Sequence, residues 1–250
     1  MRNLIVNALK GRNLIVMIKK VFKRLEHNTA TSALQWAKRN ADITTDQLCQ
    51  MIDANLFQNI KSDIIKIEAK ANSKLEQVAL SLGGGGNYVL LYFLVRKFKP
   101  KVVVETGVAA GWTSLAVLEA LEKNGEGNLY SSDFPYFRFE NPEKYVGIAV
   151  EPSTLKMRWN LDIRGDEFAL PNIISLLGDK KINLFHYDSD KSYQGHKFAF
   201  RTIKSNLAND CIIIFDDIQD NLHFKELVED HSLGYKIVEF QGKYIGIIGA

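Results

Sequence analysis

Lys101-Val102-Val103-Val104-Glu105-Thr106-Gly107-Val108-Ala109-Ala110-Gly111-Trp112-Thr113-Ser114 is the stretch on which the fold turns. The run Val102–Val104 suits a strand buried on both faces of a parallel sheet. Gly107 and Gly111 let the following turn tighten and let a ligand approach the backbone. Thr113 and Ser114 are capping-type residues at the head of a helix whose apolar face continues through Leu115, Leu118 and Leu121. Strand, glycine turn and helix together read as a nucleotide-type binding unit.

The type of nucleotide follows from what the turn holds. It lacks the G-x-G-x-x-G pattern of a dinucleotide site, and no Lys-Ser/Thr pair follows to cradle a phosphate. Glu105 stands two residues before the first glycine, where a carboxylate repels a pyrophosphate and suits a ligand carrying an ammonium and a sulfonium. The acid-x-Gly-x-Gly/Ala-x-Gly pattern resembles motif I of the class I S-adenosylmethionine-dependent methyltransferases. That resemblance implies S-adenosylmethionine (SAM) as cofactor, with Glu105, Gly107, Ala109, Gly111 and Ser114 around it.

Downstream elements fit the same crevice. Gly127–Asp133 reads as a second strand ending in an acid, about twenty residues past the turn, where nucleotide-binding α/β folds place the carboxylate that grips ribose hydroxyls. NAD enzymes share that feature. Phe134–Arg158 is rich in aromatic residues, with an extended-looking Tyr145–Val150, and is expected to lie as an insertion over the site mouth. Arg158–Ile163 gives a third strand. Asp166 after it has two readings, a residue near the adenine in the methyltransferase pattern or the N-cap of a helix over Phe168–Leu177. Tyr235–Gln241 and Tyr244–Ile248, joined at Gly242-Lys243, form an antiparallel hairpin. A purely parallel dinucleotide fold would need a helical crossover there. The expected architecture is therefore α/β, a Rossmann-like, seven-stranded, mostly parallel sheet closed by a C-terminal hairpin.

Lys181–Tyr193 and Cys211–Asp217 read as the fourth and fifth strands, each running into acidic residues. Ligands of an open parallel sheet bind at the carboxyl ends of its strands, so Asp188, Asp216 and Asp217 are expected to converge. Three gathered carboxylates need compensation, which a hard divalent cation such as Mg²⁺ supplies. Asp188-Ser-Asp-Lys191 followed by Asp216-Asp217 resembles the metal and base arrangement of cation-dependent O-methyltransferases of the catechol type. It also resembles the Asp-Gly-Asp-His-Ser-Tyr-x-Gly signature of a broad bacterial methyltransferase family, matched at Tyr193 and Gly195. The resemblance spans about Gly83 to Ala250. It implies Asp188, Asp216 and Asp217 as metal ligands and Asp188 and Lys191 as catalytic groups, with Lys191 as the base. A lysine base must be neutral, which nearby carboxylates oppose. His186 and His196 are rival bases.

The rest of the chain bounds these readings. Residues 1–82 read as an N-terminal helical extension and 83–250 as the SAM-binding domain. Met1–Leu25 is a basic amphipathic pattern, suited to packing on protein or to contact with an anionic membrane surface. Thr44-Thr45-Asp46-Gln47 starts a helix, and a second pattern runs from Ile64 to Leu82. These helices are expected to cover the sheet or to join copies in a homo-oligomer. Gly83–Gly86 reads as a linker or as a lid over the cofactor. A net charge of +3 is too slight to argue for nucleic acid. Cys49 and Cys211 read as free buried thiols of a reducing compartment, and no membrane span or signal peptide is visible, so a cytoplasmic enzyme is expected. The leading expectation is an O-methyltransferase acting on a small-molecule or sugar hydroxyl. The alternatives are an NAD-binding oxidoreductase and a catalytically silent SAM-fold binding module.

Overall fold

The computed structural model describes residues 29–78, 82, 84–137, 139–150 and 153–250, with residues 3, 7, 13 and 14 ahead of them. The basic pattern over Met1–Leu25 lies almost wholly outside the described residues. In chain order the elements are α1 (Ala30–Asn40), β1 (Ile43–Thr44), α2 (Thr45–Leu75), α3 (Tyr88–Phe98), β2 (Val102–Thr106), α4 (Trp112–Asn124), β3 (Asn128–Ser132) and β4 (Trp159–Asp162). They continue with α5 (Asp166–Leu177), β5 (Ile182–Tyr187), α6 (Tyr193–Ile203), β6 (Leu207–Phe215), α7 (His223–Asp230), β7 (Tyr235–Phe240) and β8 (Lys243–Ile248).

The strands form one sheet in the order β1-β7-β8-β6-β5-β2-β3-β4. Only β8 runs antiparallel to its neighbours β6 and β7; the other pairings are parallel. The expected Rossmann-like sheet with its terminal hairpin is present, with eight strands instead of seven. The extra strand is the two-residue β1, in which Ile43 and Thr44 pair with Val238 and Glu239. The hairpin turn is Gln241-Gly242, both at positive φ, and Lys243 already belongs to β8.

Alternation along the strands splits the core into two layers. Val103 packs with α2, α3 and α4 through Ile60, Phe93 and Leu118. Val102 and Val104 face α5, α6 and α7 through Ile173, Ile203 and Phe224. With helices on both faces, β2 is buried at all five residues, which is why it reads as an unbroken apolar run. Removing each such valine from water stabilises the fold by roughly 1.5–3 kcal/mol.

Helix α2 starts as expected, on a capping box in which Thr44 and Gln47 exchange side-chain bonds with each other's backbone N–H. It is one helix over the two expected patterns, broken in geometry at Asp53, whose carboxylate accepts from the Leu56 N–H and pairs with Lys97. No helix among the described residues is long and apolar enough to cross a membrane.

Candidate active site

The carboxyl ends of β2, β3 and β5 and the turn after β4 open onto a cavity of about 420 Å³, within the usual range for small-molecule sites. One side of it is the glycine turn. Gly107 has φ +79°, and a Cβ placed there would fall 1.8 Å from the carbonyl oxygen of Asp188. The residue must therefore be glycine for the turn and the end of β5 to lie together. Ala109, where the motif has its middle glycine, also takes a left-handed conformation (φ 48°). Its N–H donates to Asp133 Oδ2 at 2.9 Å, and its carbonyl accepts from the Gly147 N–H at 2.8 Å. Gly107, Ala109, Asp133, Phe134, Tyr136 and Asp166 all line this side. Asp166 is the first residue of α5, not its cap. Its carboxylate receives Ser132 Oγ at 2.5 Å and Ser189 Oγ, tying the ends of β3 and β5 together.

The Tyr145–Val150 stretch, expected to be extended, is instead a 3₁₀ turn (Pro142–Tyr145) followed by a reversal. The reversal is stitched to the cofactor-type turn by Gly147 N–H to Ala109 and Ala149 N–H to Ala110.

Of the expected cofactor residues, Glu105, Gly111 and Ser114 do not line the cavity. Glu105 is fully buried, and Thr113 and Ser114 do not cap α4, whose N-cap is Gly111. Their hydroxyls donate to Glu105 Oε1 and Oε2 at 2.6 Å each, and Ser131 Oγ adds a third bond at 2.8 Å. A buried carboxylate must be satisfied, and these donors do more for the fold than a cap would. On its other side Glu105 Oε1 lies 3.8 Å from Nδ1 of His186, whose Nε2 lies 3.3 Å from Asp216 Oδ1. Burial works against a charged imidazole, but the flanking Asp216 and Glu105 carboxylates outweigh it and raise His186 to about 10. His186 thus stands between two buried acids that favour its charged form.

Asp188 to Lys191, after β5, also line the cavity, and Asp216 at the end of β6 is buried beside Asp188. Oδ2 of Asp216 is buried and receives no hydrogen bond from the described residues. It lies beside Asp188 beneath Gly86: a Cβ at residue 86 would meet Asp216 Oδ2 at 2.6 Å and Asp188 Oδ2 at 3.2 Å. Burial, then the neighbouring Asp216, raises Asp188 to about 8. One ligand atom each from His186, Asp188 and Asp216 lie within 4.8 Å of one another. The unpartnered Asp216 oxygen and the oxygen donors fit a hard cation at Asp188 and Asp216.

Asp217 does not join them, which corrects the expected three-aspartate set. Its backbone is left-handed (φ 54°), and its carboxylate is turned to Lys191 Nζ at 2.5 Å, Lys243 Nζ at 3.6 Å and Gln219 Nε2 at 2.9 Å. Lys191 lines the cavity as its partner. Burial opposes its charge, but the Asp217 ion pair prevails and holds the ammonium above its ordinary pKa, the wrong direction for a base. His196 is no base either. It stacks on Phe215 at 5.5 Å, lies outside the cavity wall, and burial lowers it to about 3.

Trp112, Phe198 and Lys243 also line the cavity. Trp112 arrives with the glycine turn itself, whereas Phe198 and Lys243 are brought to the wall by elements distant in sequence.

Three comparisons bear on this geometry. Residues 104–218 match a family model described as a methyltransferase domain. No curated protein matches the sequence. Solved structures share the fold at low identity. The O-methyltransferase TomG from Streptomyces achromogenes, involved in tomaymycin synthesis and solved with SAM, is 13% identical with a TM-score of 0.58, over 73% of this chain and 88% of that one. An O-methyltransferase from Bacillus cereus in complex with S-adenosylhomocysteine (SAH) is 14% identical at 0.55, over 85% and 99%. The SAH-bound methyltransferase PaMTH1 of Podospora anserina is 15% identical at 0.54, over 81% and 95%.

The sheet topology is the fold these solved methyltransferases share, and the methyltransferase-domain match runs from the glycine-turn strand past the end of β6. The domain match agrees with the fold and the glycine turn, and none of the three comparisons favours an oxidoreductase.

Proposed function

We propose that the enzyme methylates a hydroxyl of a small molecule or sugar, with SAM along the Gly107–Asp133 side and the acceptor against Asp188 and Asp216. The observation that carries this reading is that Asp188 and the glycine turn line one cavity, with Asp216 buried beside Asp188 and its Oδ2 unpartnered. Asp133 suits the ribose hydroxyls, while Phe134 and Asp166 suit the adenine. Gly86 lies over the acid pair, and Gly84 and Gly85 line the cavity beside it.

The acceptor oxygen attacks the methyl carbon in line, the carbon–sulfur bond breaks to leave SAH, and the hydroxyl proton passes to Asp188. Without a bound cation, burial and the neighbouring Asp216 raise Asp188 to about 8, near neutral pH; a bound cation would lower it and would itself acidify the hydroxyl. Most of the acceleration comes from holding oxygen and methyl in attack geometry. A divalent cation such as Mg²⁺ held by Asp188 and Asp216 would add Lewis acidity toward the acceptor hydroxyl. We further place the enzyme in the cytoplasm as a homo-oligomer, which gel filtration tests.

Incubating the protein with methyl-labelled SAM and a panel of hydroxylated metabolites and sugars tests the central reading. Label is expected in an O-methyl product and lost with Asp188→Asn. Label on nitrogen or carbon, or transfer undiminished in Asp188→Asn, would overturn it.

A further inference from the structure

Asn7 lies far ahead of the matched methyltransferase region, yet its side chain is buried against the cavity rim. Its Nδ2 donates to the carbonyls of Phe137 at 3.1 Å and Phe139 at 3.0 Å. A primary amide has two N–H groups, and here one is spent on each carbonyl. Each of those residues braces one ring of the cavity wall. The Phe137 ring packs on Phe134 at 4.6 Å, and the Phe139 ring packs on Tyr136 at 5.9 Å. Phe134 and Tyr136 both line the cavity, beside Asp133. Asn7 is itself held, its own carbonyl accepting from Asn13 Nδ2 at 3.1 Å.

The rim between β3 and β4 is irregular backbone, so its shape depends on bonds of this kind. We infer that Asn7 is a positioning residue for the cofactor: through Phe137 and Phe139 it holds Phe134 and Tyr136 where the adenosine of SAM is received. The inference rests on the proposed placement of adenosine beside Asp133. It also gives the N-terminal segment a part in cofactor binding that the family match does not include.

Isothermal titration of the full chain with SAH tests it. Two lost hydrogen bonds of ordinary strength make Asn7→Ala bind SAH about tenfold more weakly. Asn7→Asp, which offers no N–H and faces two carbonyls with a negative charge, should lose at least as much. Asn7→Ser keeps one donor and should fall between them. It also supplies the reading should the alanine variant fail to fold.

A staple that serves stability alone would lower the melting temperature and leave SAH affinity untouched. The separating measurement is therefore a cycle with Phe134→Ala, in which Asn7→Ala is expected to add a smaller loss, the part carried through Tyr136 alone. SAH affinity within about twofold of the parent in all three Asn7 variants would overturn the inference. So would a loss that persists undiminished in the Phe134→Ala background. Absence of SAH binding by the parent protein would instead strike the cofactor placement, and the inference with it.

Discussion

The two sides of the cavity are built by different means. The glycine-turn side is made largely of backbone: Gly107 pressed on the Asp188 carbonyl, and Ala109 tied to Asp133 and Gly147. The acidic side is made of side chains whose roles are set by partners far away in sequence. His186 stands between Glu105 and Asp216, while Lys191 and Lys243 draw Asp217 aside. The first kind of site follows from the course of the chain. The second depends on which charge finds which.

The sharpest way to break the backbone side is Gly107→Ala. The added methyl meets a carbonyl and the residue must stay left-handed, so a loss of about 3–5 kcal/mol is expected, with SAH binding abolished. Urea denaturation and titration calorimetry read both. On the acidic side, Asp188→Asn should leave SAH affinity unchanged and reduce methyl transfer at least about 100-fold, the contribution of a positioned base. If both variants lose SAH binding alike, the division between the two sides fails.

Much of this was legible in sequence, for identifiable reasons. Val102–Val104 and the turn after it are local, so their strand, glycines and helix could be read from neighbours alone. Asp133 followed from the geometry of parallel strand ends. The buried partners were not legible. Thr113 and Ser114 look like caps because hydroxyls serve both caps and buried acids, and only the fold places Glu105 beneath them. Asp217 looks like a metal ligand beside Asp216 until its left-handed backbone turns the carboxylate toward Lys191. The two-residue β1 is too short to show any period, and its partner β7 lies at the other end of the chain.

A third prediction concerns His186. Its folded pKa, about 10, lies above the ordinary value near 6.5. Its stabilising contribution is complete below pH 6.5 and is lost as pH rises toward 10. Unfolding free energy measured in EDTA should therefore decline from pH 7 to 10, and decline less steeply in His186→Gln. Equal slopes would show that His186 is not charged between its two acids.

The smallest effect is expected at Lys191. As a charged partner of Asp217 and not a base, its replacement by methionine should keep methyl transfer within about tenfold of the parent. A loss of 100-fold or more would return the lysine to the chemistry.

A crystal structure of the SAH complex tests the division of the cavity most directly. The ribose hydroxyls should rest on Asp133 with the adenine beside Phe134, and the sulfur should point across the cavity at Asp188 and Asp216. Adenosine bound at the Asp188–Asp216 end, or SAH bound outside this cavity, would contradict it.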